Sequence, residues 1–117
     1  MLIGYYFEKI LIFTVPEKNK KVSKDIIGKA ISDYYVAQDD SPIIVHSKDF
    51  EEDELFPSWY FREFSEMPLL EQKALELCTG TILDVGAGAG SHSLWLQEKG
   101  LKVFALDISP GACSVME

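Results

Sequence analysis

A chain of 117 residues with 47% hydrophobic and 12% aromatic side chains is one domain at most, and it has enough apolar material to bury a core. Its formal charge of −8, from 11 basic against 19 acidic residues, argues against broad contact with nucleic-acid backbones, because no basic stripe is present to displace counterions. Small molecules and proteins remain as partner classes.

The chain opens on an apolar run over residues 2–15, LIGYYFEKILIFTV. No basic region precedes it, Glu8 and Lys9 interrupt it, and it is shorter than the ~20 residues a membrane span needs. The expectation is a β-hairpin or edge strand, with the charged run after Pro16 as a linker, so that residues 1–22 form one segment and no membrane is involved. Cys78 and Cys113 form no CxxC pair and have no histidine or cysteine cluster around them, which suits reduced thiols in a cytoplasmic protein.

Residues 23–80 read as a mainly helical cap. Ile26, Ile27, Ala30, Ile31, Tyr34 and Tyr35 recur at helical spacing behind Ser23, a capping residue, and the Asp39-Asp40-Ser41-Pro42 cluster ends the helix. Ile43-Ile44-Val45 suits a small strand, and Asp49 to Glu54 a solvated loop. His46 beside those acids hints at a metal, but the run lacks the glycine turn and tight ligand spacing of a hard-metal loop, so no metal site is assigned. The aromatic segment Phe56 to Phe64 suits a short helix, with Trp59, Tyr60 and Phe61 as core packing in preference to a lid, and Arg62 in an ion pair with an acidic neighbour. Met67-Pro68 opens a further helix with Leu69, Leu70, Ala74, Leu75 and Leu77 on its buried face and Gly80 as its left-handed cap.

Residues 81–117 carry the chemistry. Thr81 to Val85 is a short apolar strand of the kind buried on both faces of a parallel sheet. The turn Gly86-Ala87-Gly88-Ala89-Gly90 leads into a helix from Ser91 to Lys99, ended by Gly100, and then into a second strand from Leu101 to Leu106 with Asp107 at its tip. This is one βαβ unit of an α/β fold. Alternating glycines let the main chain bend freely and leave it bare to a ligand at the carboxyl end of the sheet. An acid about 20 residues on, at the tip of the neighbouring strand, is placed to accept from both hydroxyls of a ribose. A dinucleotide fingerprint needs a third glycine, but Ser91 or Ser93 falls there in the two possible frames. Ser91 reads as a helix cap, and His92, at a helix N-terminus that disfavours the imidazolium, is given no chemical role.

The stretch from Leu83 to Gly90, LDVGAGAG, resembles the first motif of class I, Rossmann-like S-adenosylmethionine-dependent methyltransferases, and Val103 to Ser109 resembles their second. The resemblance runs from Thr81 to Glu117 and implies the N-terminal part of a methyltransferase sheet preceded by the helical cap. It implies S-adenosylmethionine as cofactor, with Gly86, Ala87 and Gly88 presenting main chain to it and Gly90 allowing helix packing. Asp107 would hold the ribose, Ile108 would lie against the adenine, and Asp84 would face the methionine ammonium unless it caps the loop amides. No catalytic residue is assigned. The alternatives are an NAD(P)-binding oxidoreductase fragment and a non-catalytic fragment with an incomplete pocket.

In the family so resembled, the strand at Thr81 to Val85 is central and its second neighbour comes later in the chain. The expectation is therefore a truncated Rossmann-like domain, inactive alone, whose complete form methylates a small molecule. The expectation for the unpaired edge is self-association, with the N-terminal strand filling the gap, or a truncated gene product, as the alternatives.

Overall fold

The computed structural model describes residues 11–14 and 25–117 of the chain. Three strands, β1 (Leu11–Thr14), β4 (Thr81–Val85) and β5 (Lys102–Asp107), form a parallel sheet in the order β1-β5-β4. A separate antiparallel hairpin pairs β2 (Ile43–Val45) with β3 (Asp53–Leu55). The helices are α1 (Ile26–Ala37), α2 (Leu69–Glu76), α3 (Ser91–Glu98) and α4 (Pro110–Met116), with two short 3-10 turns, Pro57–Phe61 and Phe64–Glu66, in the aromatic segment.

The βαβ unit stands as the sequence indicates. In the β4–β5 ladder Thr81 faces Lys102 and Val85 faces Leu106, so both strands reach their carboxyl ends together. Gly100, at φ 84°, turns the chain from α3 into β5. The N-terminal apolar run supplies an edge strand, but at the far side of β5, where Leu11 pairs with Phe104 and Thr14 with Asp107. It does not fill the gap beside β4. Among the described residues β4 keeps an unpaired outer edge. The predicted remainder of that run, over residues 2–10 and 15, lies outside the described residues, as do the linker and Ser23.

The four α-helices pack on one face of the sheet or on each other. Leu96 of α3 buries against Val103, together with Met67 and Leu75. Cys113 and Met116 of α4 bury against Ala105. Ile31 of α1 then packs on Ala112 and Val115, with Ala89, Tyr60 and Phe61 around them. The larger of these side chains, such as Leu96, Met116 and Ile31, each contribute about 1.5–3 kcal/mol by leaving water.

Among the described residues no helix covers the opposite face of β4, and here the expectation of a doubly buried strand fails. Leu83 is 59% and Val85 69% exposed. Side chains alternate along a strand, so Ile82 and Asp84 turn to α3 while their neighbours face away from every described helix.

Three further expectations need correction. The first helix is capped by Asp25, whose carboxylate accepts from the Gly28 amide at 2.9 Å, and its buried face is Gly28 and Ile31, with Ile26, Ile27 and Tyr35 exposed. In α2 only Leu75 is buried; Leu69, Leu70 and Leu77 face water. The polar partners of Glu71 and Gln72 set that rotation, since Glu71 is bonded to Arg62 and His92 and Gln72 donates to the Met67 carbonyl. Finally, the end of the acidic loop is a strand, because Asp53 to Leu55 pair with Ile43 to Val45.

Candidate functional site

The site is built where β4 and β5 end. The Leu106 carbonyl accepts from both the Gly86 and the Ala87 amides, at 2.8 and 3.1 Å, which folds the loop back over the tip of β5. Gly86, Gly88 and Gly90 have φ of 74°, 59° and 88°. This is the left-handed region that a Cβ makes costly by about 1–2 kcal/mol. Gly90 is itself the left-handed N-cap of α3. Ser91, expected as that cap, is the first helical residue, and its hydroxyl donates to the Tyr60 carbonyl.

Asp107 is held against this bend. One carboxylate oxygen accepts from the Gly88 amide at 2.8 Å and the other from the Ser109 amide at 2.8 Å. A carboxylate has about four lone-pair positions, so each oxygen keeps one free for a ligand. The side chain is half-buried, fixed by main chain on the inside and open on the outside.

The glycines do different work. A Cβ built on Gly86 would meet nothing within 4 Å, so open space faces the main chain there. A Cβ on Gly88 would come 2.9 Å from Tyr60 Cδ1. The bare side of Gly88 is thus covered by an aromatic ring, and the ligand-accessible main chain is at Gly86. Tyr60 does pack with the core, as its sequence context suggests, and it also walls the loop. Its hydroxyl is pushed above its ordinary value by burial first and by the Asp107 charge second.

Asp84 lies beneath the loop, where it accepts from the Ser93 hydroxyl at 2.6 Å. The amides of Gly86, Ala87, Gly88 and Gly90 all have other acceptors. Ile108 stands 70% exposed beside Asp107, an apolar surface at the mouth of the site. The structure therefore brings Gly86, Ala87, Gly88, Asp107 and Ile108 together at the carboxyl ends of β4 and β5, with open space at Gly86, Tyr60 over Gly88 and Ala87 packed on the core. Ser109 and Tyr60 were not singled out from sequence as members of this group.

A polar network flanks the loop. Arg62 donates to both oxygens of Glu71, at 3.3 and 3.1 Å, and His92 Nε2 lies 3.0 Å from Glu71 Oε2. The His92 contact does most to hold the Glu71 carboxyl below its usual value; burial opposes it and the Arg62 charge assists. Arg62 thus makes the acidic pairing expected of it. A large cleft lined by Phe61, Arg62, Ala89, Trp95 and Val115 opens behind the loop, away from Gly86 and Asp107. Ligands of open α/β sheets bind at the strands' carboxyl ends, and neither Gly86 nor Asp107 lines this cleft. His46 pairs with Glu52 at 2.8 Å on the exposed hairpin. Cys78 and Cys113 are free thiols, and no described helix is long and apolar enough to cross a membrane.

No protein-family model matches the chain, and no curated protein does. Among solved structures it is similar to a SAM-dependent methyltransferase from Bacteroides fragilis, crystallised in complex with S-adenosyl-L-homocysteine, at 48% identity and a TM-score of 0.76. The match covers 85% of this chain and 41% of that one, so the chain spans well under half the length of its neighbour. Sequence, topology and loop geometry agree with that match, and the chain carries the N-terminal portion of the fold of class I, Rossmann-like S-adenosylmethionine-dependent methyltransferases.

Proposed function

We propose that these 117 residues form the S-adenosylmethionine seat of a methyltransferase. The observation that carries the reading is the Asp107 carboxylate, fixed 2.8 Å from the Gly88 amide, with acceptor positions left for a ribose diol beside the open main chain of Gly86. The donor set fits the cofactor: a carboxylate for the sugar hydroxyls, an exposed Ile108 for the adenine face, and Asp84 below the loop for the methionine ammonium. The neighbour's complex with S-adenosyl-L-homocysteine supports it.

When bound, the cofactor supplies an activated methyl group for in-line displacement, and the protein's part is to hold donor and acceptor in line. We place the acceptor's contacts in the portion of such enzymes that this chain does not span, and take the acceptor to be a small molecule, since a net charge of −8 disfavours nucleic acid. Alone, the chain should bind cofactor without turning it over.

A thermal-shift assay tests this directly. S-adenosylhomocysteine at 100 times its dissociation constant should stabilise the chain by about 2.7 kcal/mol, and NAD should not. A shift with NAD alone would replace the reading with a dinucleotide site, and no shift with either would leave a fold without a working pocket.

The open edge of β4 also supports a proposal of self-association. Two copies pairing β4 to β4 across a two-fold axis would complete both ladders and bring together the exposed Leu83 and Val85 side chains. Sedimentation velocity should show a dimer at high protein concentration, and a single monomeric species there contradicts it.

A further inference from the structure

The bonds that fix Asp107 continue beyond the loop. Ser109, whose amide donates to one Asp107 oxygen, is itself held by Asp25, a residue 84 positions earlier in the chain. One oxygen of Asp25 accepts from Ser109 Oγ and from the Gly111 amide, both at 2.9 Å. The other accepts from the Gly28 amide at 2.9 Å. Ser109 Oγ accepts in turn from the Ala112 amide at 3.0 Å, so its hydroxyl caps α4 while donating to Asp25.

One carboxylate thus caps two helices and fixes the residue that aims the sugar-binding acid. Burial alone pushes the Asp25 carboxyl up, but the Gly111, Ser109 and Gly28 donors together outweigh it and hold the group below its ordinary range. Only a carboxylate can accept on both sides here, because donors face each of its oxygens. An asparagine of nearly the same shape would turn an amide N–H toward one of them.

We propose that Asp25 is a positioning residue for Asp107, acting through Ser109. It fixes the first turn of α4, and with it the Ser109 amide that holds the Asp107 carboxylate toward Gly88. The consequence for ligand binding rests on the cofactor reading above, whereas the positioning belongs to the chain by itself.

Amide hydrogen exchange measured by NMR on the ligand-free chain tests the positioning, and calorimetric titration with S-adenosylhomocysteine tests the consequence. In Asp25→Asn, exchange at the Gly88 amide should quicken about tenfold, the factor that one hydrogen bond of ordinary worth corresponds to. The Gly86 and Ala87 amides, bonded to the Leu106 carbonyl, should keep their wild-type rates. Ser109→Ala should show the same pattern, and the double variant should add little, because both act along one path. Should Asp25→Asn fail to fold, Ser109→Ala carries the comparison. Affinity for S-adenosylhomocysteine should fall by a similar factor, measured well below each variant's melting temperature.

A merely structural Asp25 would quicken all three loop amides together or none of them, and either pattern overturns the proposal. Unchanged affinity in a variant, where the wild type binds, overturns it too. If the wild-type chain does not bind the ligand at all, the cofactor reading fails separately, and exchange at Gly88 still decides the role of Asp25.

Discussion

Gly111→Ala should cost the chain about 3 kcal/mol, the upper end of the usual range for overpacking a filled site. For a domain of this size that lowers the melting temperature by about 10 °C. The reason is the crossing of α1 and α4. A Cβ at Gly111 would lie 2.6 Å from both the carbonyl carbon and the oxygen of Gly28, and 2.8 Å from its Cα. These are backbone atoms and cannot swing aside, so the helices must separate. Separation uncovers Ile31, Ala112 and Val115, which bury against one another at the same contact. It also stretches the three bonds to Asp25. Gly100→Ala is the matched control, with a φ of 84° but nothing within 4 Å of its Cβ, so it should cost only the backbone term of about 1–2 kcal/mol. Urea denaturation of the two variants checks this. Equal losses would show that the helix crossing has slack that the packing does not suggest.

That pair of glycines also shows what could and could not be read from the sequence. The βαβ unit was legible because its signals are local: two apolar strands, a glycine turn between strand and helix, and an acid at the next strand's tip. Each physical requirement falls within a few residues of the group that meets it. The cap of α1 was not legible in the same way. Ser23 and Asp25 are both capping residues, and what selects Asp25 is a second helix supplied by residues far along the chain. A signal did exist. Glycine inside a helix is unfavourable by about 1 kcal/mol against alanine, so Gly28 in α1 and Gly111 in α4 together mark a place where two backbones meet.

The rotation of α2 was hidden for another reason. Leu69, Leu70, Ala74, Leu75 and Leu77 nearly encircle the helix, and hydrophobic spacing alone does not choose among its faces. The choice is made by Glu71, which must reach Arg62 and His92. The parallel pairing of Leu11–Thr14 with β5 is likewise a long-range event with no local mark. At the site, the acid and the loop were found from spacing, while the division of labour between Gly86 and Gly88 was not. It depends on Tyr60, whose ring reaches the loop from the aromatic segment.

Asp107→Ala should abolish stabilisation by S-adenosylhomocysteine while leaving a folded chain. The carboxylate is a charged acceptor held at the tip of β5 beside the open main chain of Gly86. Two charge-assisted bonds to a ribose diol are worth about 1.5–3 kcal/mol each, so losing both should weaken binding by a factor of a hundred or more. In the ligand-free chain the same change deprives only the Gly88 and Ser109 amides of their acceptor, at a half-buried position where water can substitute. The loss in stability should therefore be small beside the loss in affinity. Asp107→Asn is the sharper variant. It keeps an acceptor on one side, but its amide N–H must oppose either the Gly88 or the Ser109 donor, so the loop has to yield even though the volume is unchanged. It should bind no better than Asp107→Ala and be no more stable, whereas an acid acting only through its negative charge would lose affinity in Asp107→Asn yet keep the stability of the wild type. Calorimetric titration of both variants, beside their denaturation curves, separates these cases. Binding within fivefold of wild type in Asp107→Ala would remove the sugar from this carboxylate and leave the ordered bend at Gly88 as its whole purpose.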